Sequence, residues 1–350
     1  MPYGTGCASL DAWTSPSWAL LKQMFCATSL LQILHNGNFN RYSYFDEFSK
    51  SSWERAAWSA FCDSPATGFF TNGFIMKILV WNVQGAKKHQ IREEIQYLHK
   101  AQQPDLVFLT ETMASDETAK HILPQLGFDH YDYTLPVNHS QGIWVLWNKR
   151  NILANVLLKE DRPIHMLVFD VISQKFSIIS GVYAPAQPSH KDAFWMHLRN
   201  LNCVIDKPWR LIGDFNELEC HTDKQGGPPA APSQFIRLPC FLNFCQAVSL
   251  PIQGRSFTWK KRIHEHLIYE KLDRAIGRHD WCCQYPDSSV SAGPFTCSDH
   301  SYVLLDTNPA HLSKRKTIFQ YQPNWSAYDE VQRTVRKNGR AVRTVRPCSG

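Results

Sequence analysis

Six times in this chain a run of apolar residues adjoins polar side chains that a packed core rejects. Ile78-Leu79-Val80-Trp81 runs into Asn82, and Val107-Phe108-Leu109 is followed by Thr110 and Glu111. Ile178-Ile179 leads to Tyr183, Leu211-Ile212 to Asp214 and Asn216, and Leu272 to Asp273, while Asp299-His300 stands just before Tyr302-Val303-Leu304-Leu305. Short apolar runs bounded by turn formers read as buried strands. Alternate side chains of a strand share a face, so Asp214 and Asn216 are expected side by side on one face. Each polar residue alone has a plain explanation, because Asn and Asp favour turns and a single His is usually hydrogen-bonded filler. As a set they differ: strand ends on one rim of a packed sheet converge in space, and a convergent polar set is what a site needs.

The remaining pattern supplies the frame. Strands are predicted over 76–83, 106–109, 142–147, 165–172, 176–183, 209–215, 256–260, 272–275 and 302–305, with a hairpin across Ser173-Gln174. Helical spacing of apolar residues marks 89–100, 189–205 with Ser189 as its cap, and 233–247. Two further helices are expected over 19–34 and 326–336. Strands occur both in hairpin-like pairs and separated by helices. That fits an α/β fold, a four-layer α/β/β/α sandwich of two mixed β-sheets with flanking helices. The texture divides the chain into an N-terminal extension over 1–75, a folded domain over 76–306 and a basic C-terminal tail over 307–350.

Composition narrows the class. A hydrophobic content of 43% builds a sizeable core without staples. The eleven cysteines include no CxxC pair, and their odd count without a repeating spacing argues against a secreted disulfide framework and against a structural zinc site. A reducing compartment follows, so a nuclear or cytoplasmic location is expected rather than secretion. No run of 18 apolar residues occurs and no basic segment precedes the apolar stretch near Leu20, so neither a membrane span nor a signal peptide is expected. No obligate protein partner is evident. The net charge of +6 is concentrated: from Lys314 to Gly350 there are nine Lys and Arg against two acids, which leaves the body near neutral. Such a tail suits nucleic-acid phosphates, or it is a solvated end.

The polar set is informative by what it lacks. There is no GxSxG elbow, no GxxxxGK[ST] loop and no GxGxxG fingerprint. Carboxylates without Cys or paired His suit a hard, oxygen-seeking cation, Mg²⁺ or Mn²⁺. An imidazole beside them suits a phosphoryl centre where negative charge builds up. An Asp held by an Asn can deprotonate and aim a water. The set describes metal-assisted hydrolysis of a phosphoester.

The motifs WNVQG (Trp81 to Gly85), LTET (Leu109 to Thr112), GVYAP (Gly181 to Pro185), GDFN (Gly213 to Asn216), LDR (Leu272 to Arg274) and SDH (Ser298 to His300) occur in an order that resembles the endonuclease/exonuclease/phosphatase (deoxyribonuclease-I-like) superfamily. The stretches PWRLIGDFNE, DKQGG, FTW and KLDRAIG resemble most closely the endonuclease domain of plant LINE-type (non-LTR) retrotransposons. After the domain, Phe319-Gln320-Tyr321 and Trp325 look like the start of that family's linker toward a reverse transcriptase, so a truncated element or domesticated fragment is expected. The resemblance implies a Mg²⁺-dependent endonuclease acting on DNA. By it, Glu111 is the principal metal ligand with Asn82 beside it, and Asp299 supports the metal or the leaving-group side. Asp214 orients or deprotonates the attacking water and Asn216 positions it. His300, its imidazole held by Asp273, stabilises the pentavalent transition state, and Tyr183 contacts the phosphate or the leaving oxygen. Thr258 and Ser298 are implied as phosphate contacts. Ala186 stands where apurinic endonucleases carry Asn, which detracts from a specific abasic-site reading. The alternatives are a phosphatase on inositol or other small phosphoesters, and a non-catalytic relic. Specificity is expected in the surface loops 226–233 and 262–266.

Overall fold

Alternation along two strands sorts the core into layers. The computed structural model describes residues 76–137, 141–263 and 266–308, so the helices expected over 19–34 and 326–336 lie outside the described residues. In β1 (Lys77–Asn82), Ile78 and Val80 face one core while Leu79 and Trp81 face another; in β2 (Leu106–Thr110), Leu106 and Phe108 join the first and Val107 and Leu109 the second. The period of two thus places both strands in a sheet covered on both faces.

The elements follow in the order β1, α1 (His89–Gln102), β2, α2 (Asp116–Ile122), β3 (His130–Tyr133), β4 (Ile143–Trp147), β5 (Ile152–Lys159), β6 (Pro163–Asp170), β7 (Lys175–Tyr183), α3 (Pro188–Asn202), β8 (Trp209–Asp214) and β9 (Lys224–Gln225). Then come α4 (Arg237–Cys245), β10 (Ala247–Ser249), β11 (Ile252–Gln253), β12 (Trp259–Ile263), β13 (His266–Glu270), β14 (Asp273–Arg278), α5 (His279–Gln284), β15 (Ser289–Ala292) and β16 (Val303–Asp306). Seven strands form one mixed sheet in the order β11-β15-β16-β1-β2-β4-β3, and six form a second in the order β10-β14-β8-β7-β6-β5. Strands β12, β13 and β9 make a small third sheet.

The two large sheets pack face to face. Ile78, Val80, Phe108, Val145, Met166, Ile179, Ile212 and Ala275 fill the space between them. Helix α1 covers the outer face of the first sheet with Ile91, Ile95 and Leu98. Helices α3 and α4 cover the outer face of the second with Trp195, Leu198, Leu238 and Phe241 against Trp209 and Leu211. The result is the four-layer α/β/β/α sandwich that the sequence pattern predicts.

Several details depart from the sequence reading. Ser189 is not the cap of α3: Gln187 holds that position without a side-chain bond, and Pro188 opens the helix, where its missing N–H costs nothing. The single helix predicted over 233–247 is a 3-10 turn over Pro232–Phe235 followed by α4. Pro239 accounts for the break, since its ring clashes with the carbonyl four residues back and cannot be accommodated until the first turn of a new helix. The strand predicted over 256–260 is shifted to β12 and pairs with β13. Strands β3, β5 and β15 had no strong alternation to mark them; β5 is half-buried along most of its length, and β3 is an edge.

Two glycines permit close approaches, Gly181 between the two sheets and Gly213 between neighbouring strands of the second sheet. A Cβ on Gly181 of β7 would lie 2.0 Å from Cδ1 of Phe108 across the inter-sheet core, and one on Gly213 of β8 would lie 1.9 Å from the Val182 carbonyl oxygen. Overpacking of this kind costs roughly 1–3 kcal/mol. Gly181→Ala is therefore expected to lower the thermal midpoint of unfolding measurably, by pushing the Phe108 ring and the two sheets apart. An unchanged midpoint by circular dichroism would show that the inter-sheet spacing is not fixed by this contact.

Candidate active site

The inward stripe of each sheet continues past the last apolar residue. Asn82 follows Ile78 and Val80 in the same parity, Tyr183 follows Ile179, Asp214 follows Ile212, and Asp273 precedes Ala275. All four therefore point between the sheets at one end of the sandwich. Strand pairing aligns them: Tyr183 sits opposite Asp214 in the parallel pair β7–β8, and Asp273 opposite Asp214 in the antiparallel pair β8–β14. On the other sheet, Asn82 is level with Thr110, one residue before Glu111.

At the rim one side chain reaches carboxylates of both sheets. The Asn82 Nδ2 donates to Glu111 Oε1 at 3.0 Å and to Asp214 Oδ2 at 3.0 Å, and lies 3.4 Å from His300 Nε2. Asn82 is fully buried, so this amide joins carboxylates of opposite sheets in a medium of low dielectric. Its orientation is fixed in turn, because Asn82 Oδ1 accepts from the Gln84 N–H.

His300 is aimed by its surroundings. Its Nδ1 lies 2.8 Å from Asp273 Oδ2 and its Nε2 3.8 Å from Asp214 Oδ2. The Ser298 hydroxyl donates to the Asn82 carbonyl and accepts from the His300 N–H, while the Trp81 indole donates to the His300 carbonyl. Thr258 is fully buried, and its hydroxyl accepts from the N–H groups of Leu272 and Asp273. Thr258 and Ser298, implied by the resemblance as phosphate contacts, thus hold Asp273 and His300 in place. The Trp259 indole donates to Asp299 Oδ2 at 3.0 Å, and Asp299 Oδ1 is buried without a protein partner.

Asp214 and Asn216 do not stand side by side on a strand face. The strand ends at Asp214, and Asn216 turns back with φ 48°. Its N–H donates to Asp214 Oδ1 at 2.9 Å, and its Nδ2 reaches the Ala184 carbonyl and Asp214 Oδ2. Asn tolerates this left-handed backbone, but Glu111 at φ 52° and Gln84 at φ 45° do not favour it. The bonds from the Val83 and Gly85 N–H groups to the Thr110 and Glu111 carbonyls hold that strained turn.

Electrostatics follow from burial. Desolvation pushes the Asp214 carboxyl up to about 7, against the opposing pull of His300, with Asp273 and Glu111 raising it further. Burial pulls His300 down, but Asp273 and Asp214 outweigh it, and the imidazole rises to about 10. Burial also raises the Tyr183 phenol, reinforced by the charges of Glu111 and Asp214, and the phenol hydrogen-bonds Glu111. The Arg162 guanidinium lies over the Tyr183 ring at 5.4 Å. Sequence reasoning missed Arg162, because it stands in the loop between β5 and β6 with no motif around it, and it missed the positioning role of Trp259.

The arrangement can accept a proton at Asp214, present a cationic imidazole beside it, and offer oxygen donors to a cation. Among the described residues, Asp214, Asp273 and His300 bring donor atoms within 4.8 Å of one another, a spacing compatible with a divalent metal ion. The wider donor set is oxygen-rich and Glu111 is half-exposed at the rim, which fits a cation that keeps waters and substrate oxygens in its shell.

A sandwich of two mixed sheets with a carboxylate and imidazole rim at its mouth defines a hydrolase fold of the phosphoester-cleaving class. The chain belongs to the Endonuclease/Exonuclease/phosphatase family, whose model matches residues 79–300. No curated protein matches the chain significantly. Among solved structures it is similar to the AP endonuclease LMAP from Leishmania major, with TM-score 0.55 and 14% identity over 84% of this chain and 98% of that one. It is similar to the endonuclease domain of TRAS1, a telomere-specific non-LTR retrotransposon, with TM-score 0.51 and 9% identity over 66% of this chain and 97% of that one. The 3′-5′ exonuclease NExo from Neisseria Meningitidis gives TM-score 0.51 and 15% identity over 67% of this chain and 100% of that one. At these identities the likeness shows the fold. No helix among the described residues is long and apolar enough to cross a membrane.

Both upward shifts at the site mean that the folded chain holds protons the unfolded chain releases. Their stabilising contribution is therefore present at low pH and lost as pH rises. For Asp214 the loss runs from 3.8 to about 7, and for His300 from 6.5 to about 10. In buffer containing EDTA, the urea midpoint is expected to fall between pH 6.5 and 10, and to fall less steeply in His300→Gln. Identical slopes for the two proteins would overturn the assignment of that window to His300.

Proposed function

We propose that the chain is a divalent-cation-dependent phosphodiester hydrolase that nicks DNA, derived from a LINE-type retrotransposon. The observation that carries the reading is the Asn82 amide, which gathers Glu111, Asp214 and the Asp273-held His300 at one rim. The DNA and LINE parts rest on the ordered motifs from Trp81 to His300 and on the basic stretch after Lys314. The hydrolytic unit is 76–306, with 307–350 as a tail that contacts nucleic-acid phosphates and 1–75 as a separate extension.

In this reading Glu111 and Asp299, whose Oδ1 has no protein partner, would hold Mg²⁺ or Mn²⁺, with Asn82 beside them positioning the Glu111 carboxylate through its amide. When bound there, such a cation would supply Lewis-acid polarisation of the phosphate and of the leaving oxygen. Asp214 accepts the proton of the attacking water, with Asn216 fixing both its own N–H on Asp214 and the carboxamide beside it. The water oxygen bonds to phosphorus, and the bond from phosphorus to the leaving oxygen breaks. The His300 imidazolium faces the charge that develops on the equatorial oxygens, and Tyr183 stands where its hydroxyl can donate to the phosphate or the leaving oxygen.

The test is conversion of supercoiled plasmid to open circles, with and without Mg²⁺. Wild type is expected to nick only with the metal, and Glu111→Ala is expected to lose activity by 10²-fold or more, as does removal of a transition-state stabiliser. A folded wild-type protein that never nicks, or a fully active Glu111→Ala, would sink the reading; release of phosphate from inositol phosphates by that protein would redirect it to small phosphoesters. The pH profile is a second check. The nicking rate is expected to rise as the Asp214 and His300 pair loses its first proton near 7 and to fall as the imidazolium is lost toward 10. A rate that is flat across pH 6–10 would contradict these roles.

A further inference from the structure

Beside the rim, the small third sheet carries two unlike faces. Residues directly opposite in antiparallel strands share a face. The pairs Trp259 with Glu270 and Lys261 with Ile268 fall on one side, and Lys260 with Tyr269, Tyr269 with Gln225, and Arg262 with Leu267 on the other. The first side is tied to the body: Trp259 bonds Asp299, Ile268 is buried, and Glu270 is paired with Lys224 at 2.6 Å.

The second side faces an open cleft of about 270 Å³ lined by Gln225, Arg255, Phe257, Tyr269 and Phe295. Three aromatic rings form its walls, with Tyr269 5.9 Å from Phe257 and 6.4 Å from Phe295 between centroids. Two cations flank the same ring: the Arg255 guanidinium lies 5.1 Å and Lys260 Nζ 4.8 Å from the Phe295 centroid. Phe295 is buried, but Phe257 and Tyr269 are only half-buried and Arg255, Arg262 and Gln225 are exposed. A cluster serving only as core would bury its rings and would not line an opening with cations. Core packing accounts for Phe295 and leaves the other two rings unexplained.

We propose that this cleft takes one unpaired base of a nucleic-acid strand whose neighbouring phosphate lies at the catalytic rim. The inference rests on the nuclease reading and adds what the substrate must present. Flat aromatic faces stack bases of any sequence, Arg adds a cation–π contribution, and Lys260 and Arg262 sit where the flanking phosphates would pass. The Gln225 carboxamide offers both a donor and an acceptor to a base edge. The cleft and the rim are joined by backbone hydrogen bonding: the Lys260 N–H donates to the Asp299 carbonyl, and Trp259 forms an antiparallel bridge with His300. A base held here is unpaired from its partner strand and unstacked from its neighbours. The substrate class is therefore a strand that is single, looped or locally opened next to the scissile phosphate, in preference to an intact duplex.

The experiment is binding of oligonucleotides carrying 2-aminopurine, whose fluorescence falls when it stacks on an aromatic ring, to the full chain in EDTA so that no cleavage occurs. Wild type is expected to quench the probe in a single strand and in a duplex with one unpaired 2-aminopurine, and to leave the fully paired duplex unchanged. Tyr269→Leu and Phe257→Leu each keep apolar bulk while removing a ring. Each is expected to lose the quench and to weaken single-strand binding on the order of tenfold, whereas Tyr269→Phe retains both. Thermal midpoints within a few degrees of wild type establish that the variants are folded. Equal quench and affinity in both Leu variants, or no quench by wild type, would overturn the cleft's role. Plasmid nicking run alongside separates the two readings. Ring-dependent quench without nicking upholds the cleft and rejects the nuclease, whereas nicking without ring-dependent quench rejects the cleft alone.

Discussion

The hydrogen bonds of the Asn82 carboxamide are the point on which the site depends. Two sheets that share an apolar interior have no reason to bring their polar ends together, since carboxylates of opposite sheets repel. One buried amide that donates to Glu111 on its own sheet and to Asp214 on the other removes part of that conflict and sets the spacing of the rim. Everything around Asn82 serves to hold it. Ser298 caps its carbonyl, the Gln84 N–H bonds its side-chain oxygen, and Trp81 anchors the loop that carries His300. Changing Asn82 thus alters the geometry of three other groups at once, which is why effects at this position will not add to those at Glu111 or Asp214.

The layers matter to chemistry because of parity. Asn82, Tyr183 and Asp214 each take the next inward position at the end of a strand whose inward stripe is otherwise apolar or glycine, and Asp273 takes the inward position just before Ala275 at the start of its strand. The same rule that fills the interior with Ile, Val and Met delivers polar groups to its mouth. That is why so much of the rim could be read from the sequence: an apolar run with a period of two and a polar residue at its end identifies both the strand and the side chain that leaves it. The two central strands and the parallel pair β7–β8 were legible for this reason.

What the sequence hid follows the same logic. Strand β12 carries Lys260, Lys261 and Arg262, and no apolar period announces a strand on a sheet that faces a cleft rather than a core. Strand β5 is half-buried and so has no clean alternation. Asn216 belongs to a turn, and whether a turn bends left or continues the strand is decided by tertiary bonds to Ala184 and Asp214 that sequence spacing does not contain. The supporting roles of Thr258, Trp259 and Ser298 depend on contacts across 14 to 216 residues, and their side chains have the same composition as ordinary core and turn residues.

Strand β1 lies at the centre of its sheet, between β2 and β16, and its register with β16 pairs Lys77 with Asp306. The Met76 N–H is likewise bonded to the Thr307 hydroxyl, 231 residues away. During synthesis, β1, the first strand among the described residues, must wait for β16, the last of them, before its second edge is covered. Until then β1 presents an open, apolar edge to any other strand within reach, and the loop that brings His300 beneath Trp81 has not yet been made. The complete rim therefore arrives late and all at once, on closure of the longest loop in the described fold, and a chain released before that closure carries most of the rim's carboxylates without bringing them together.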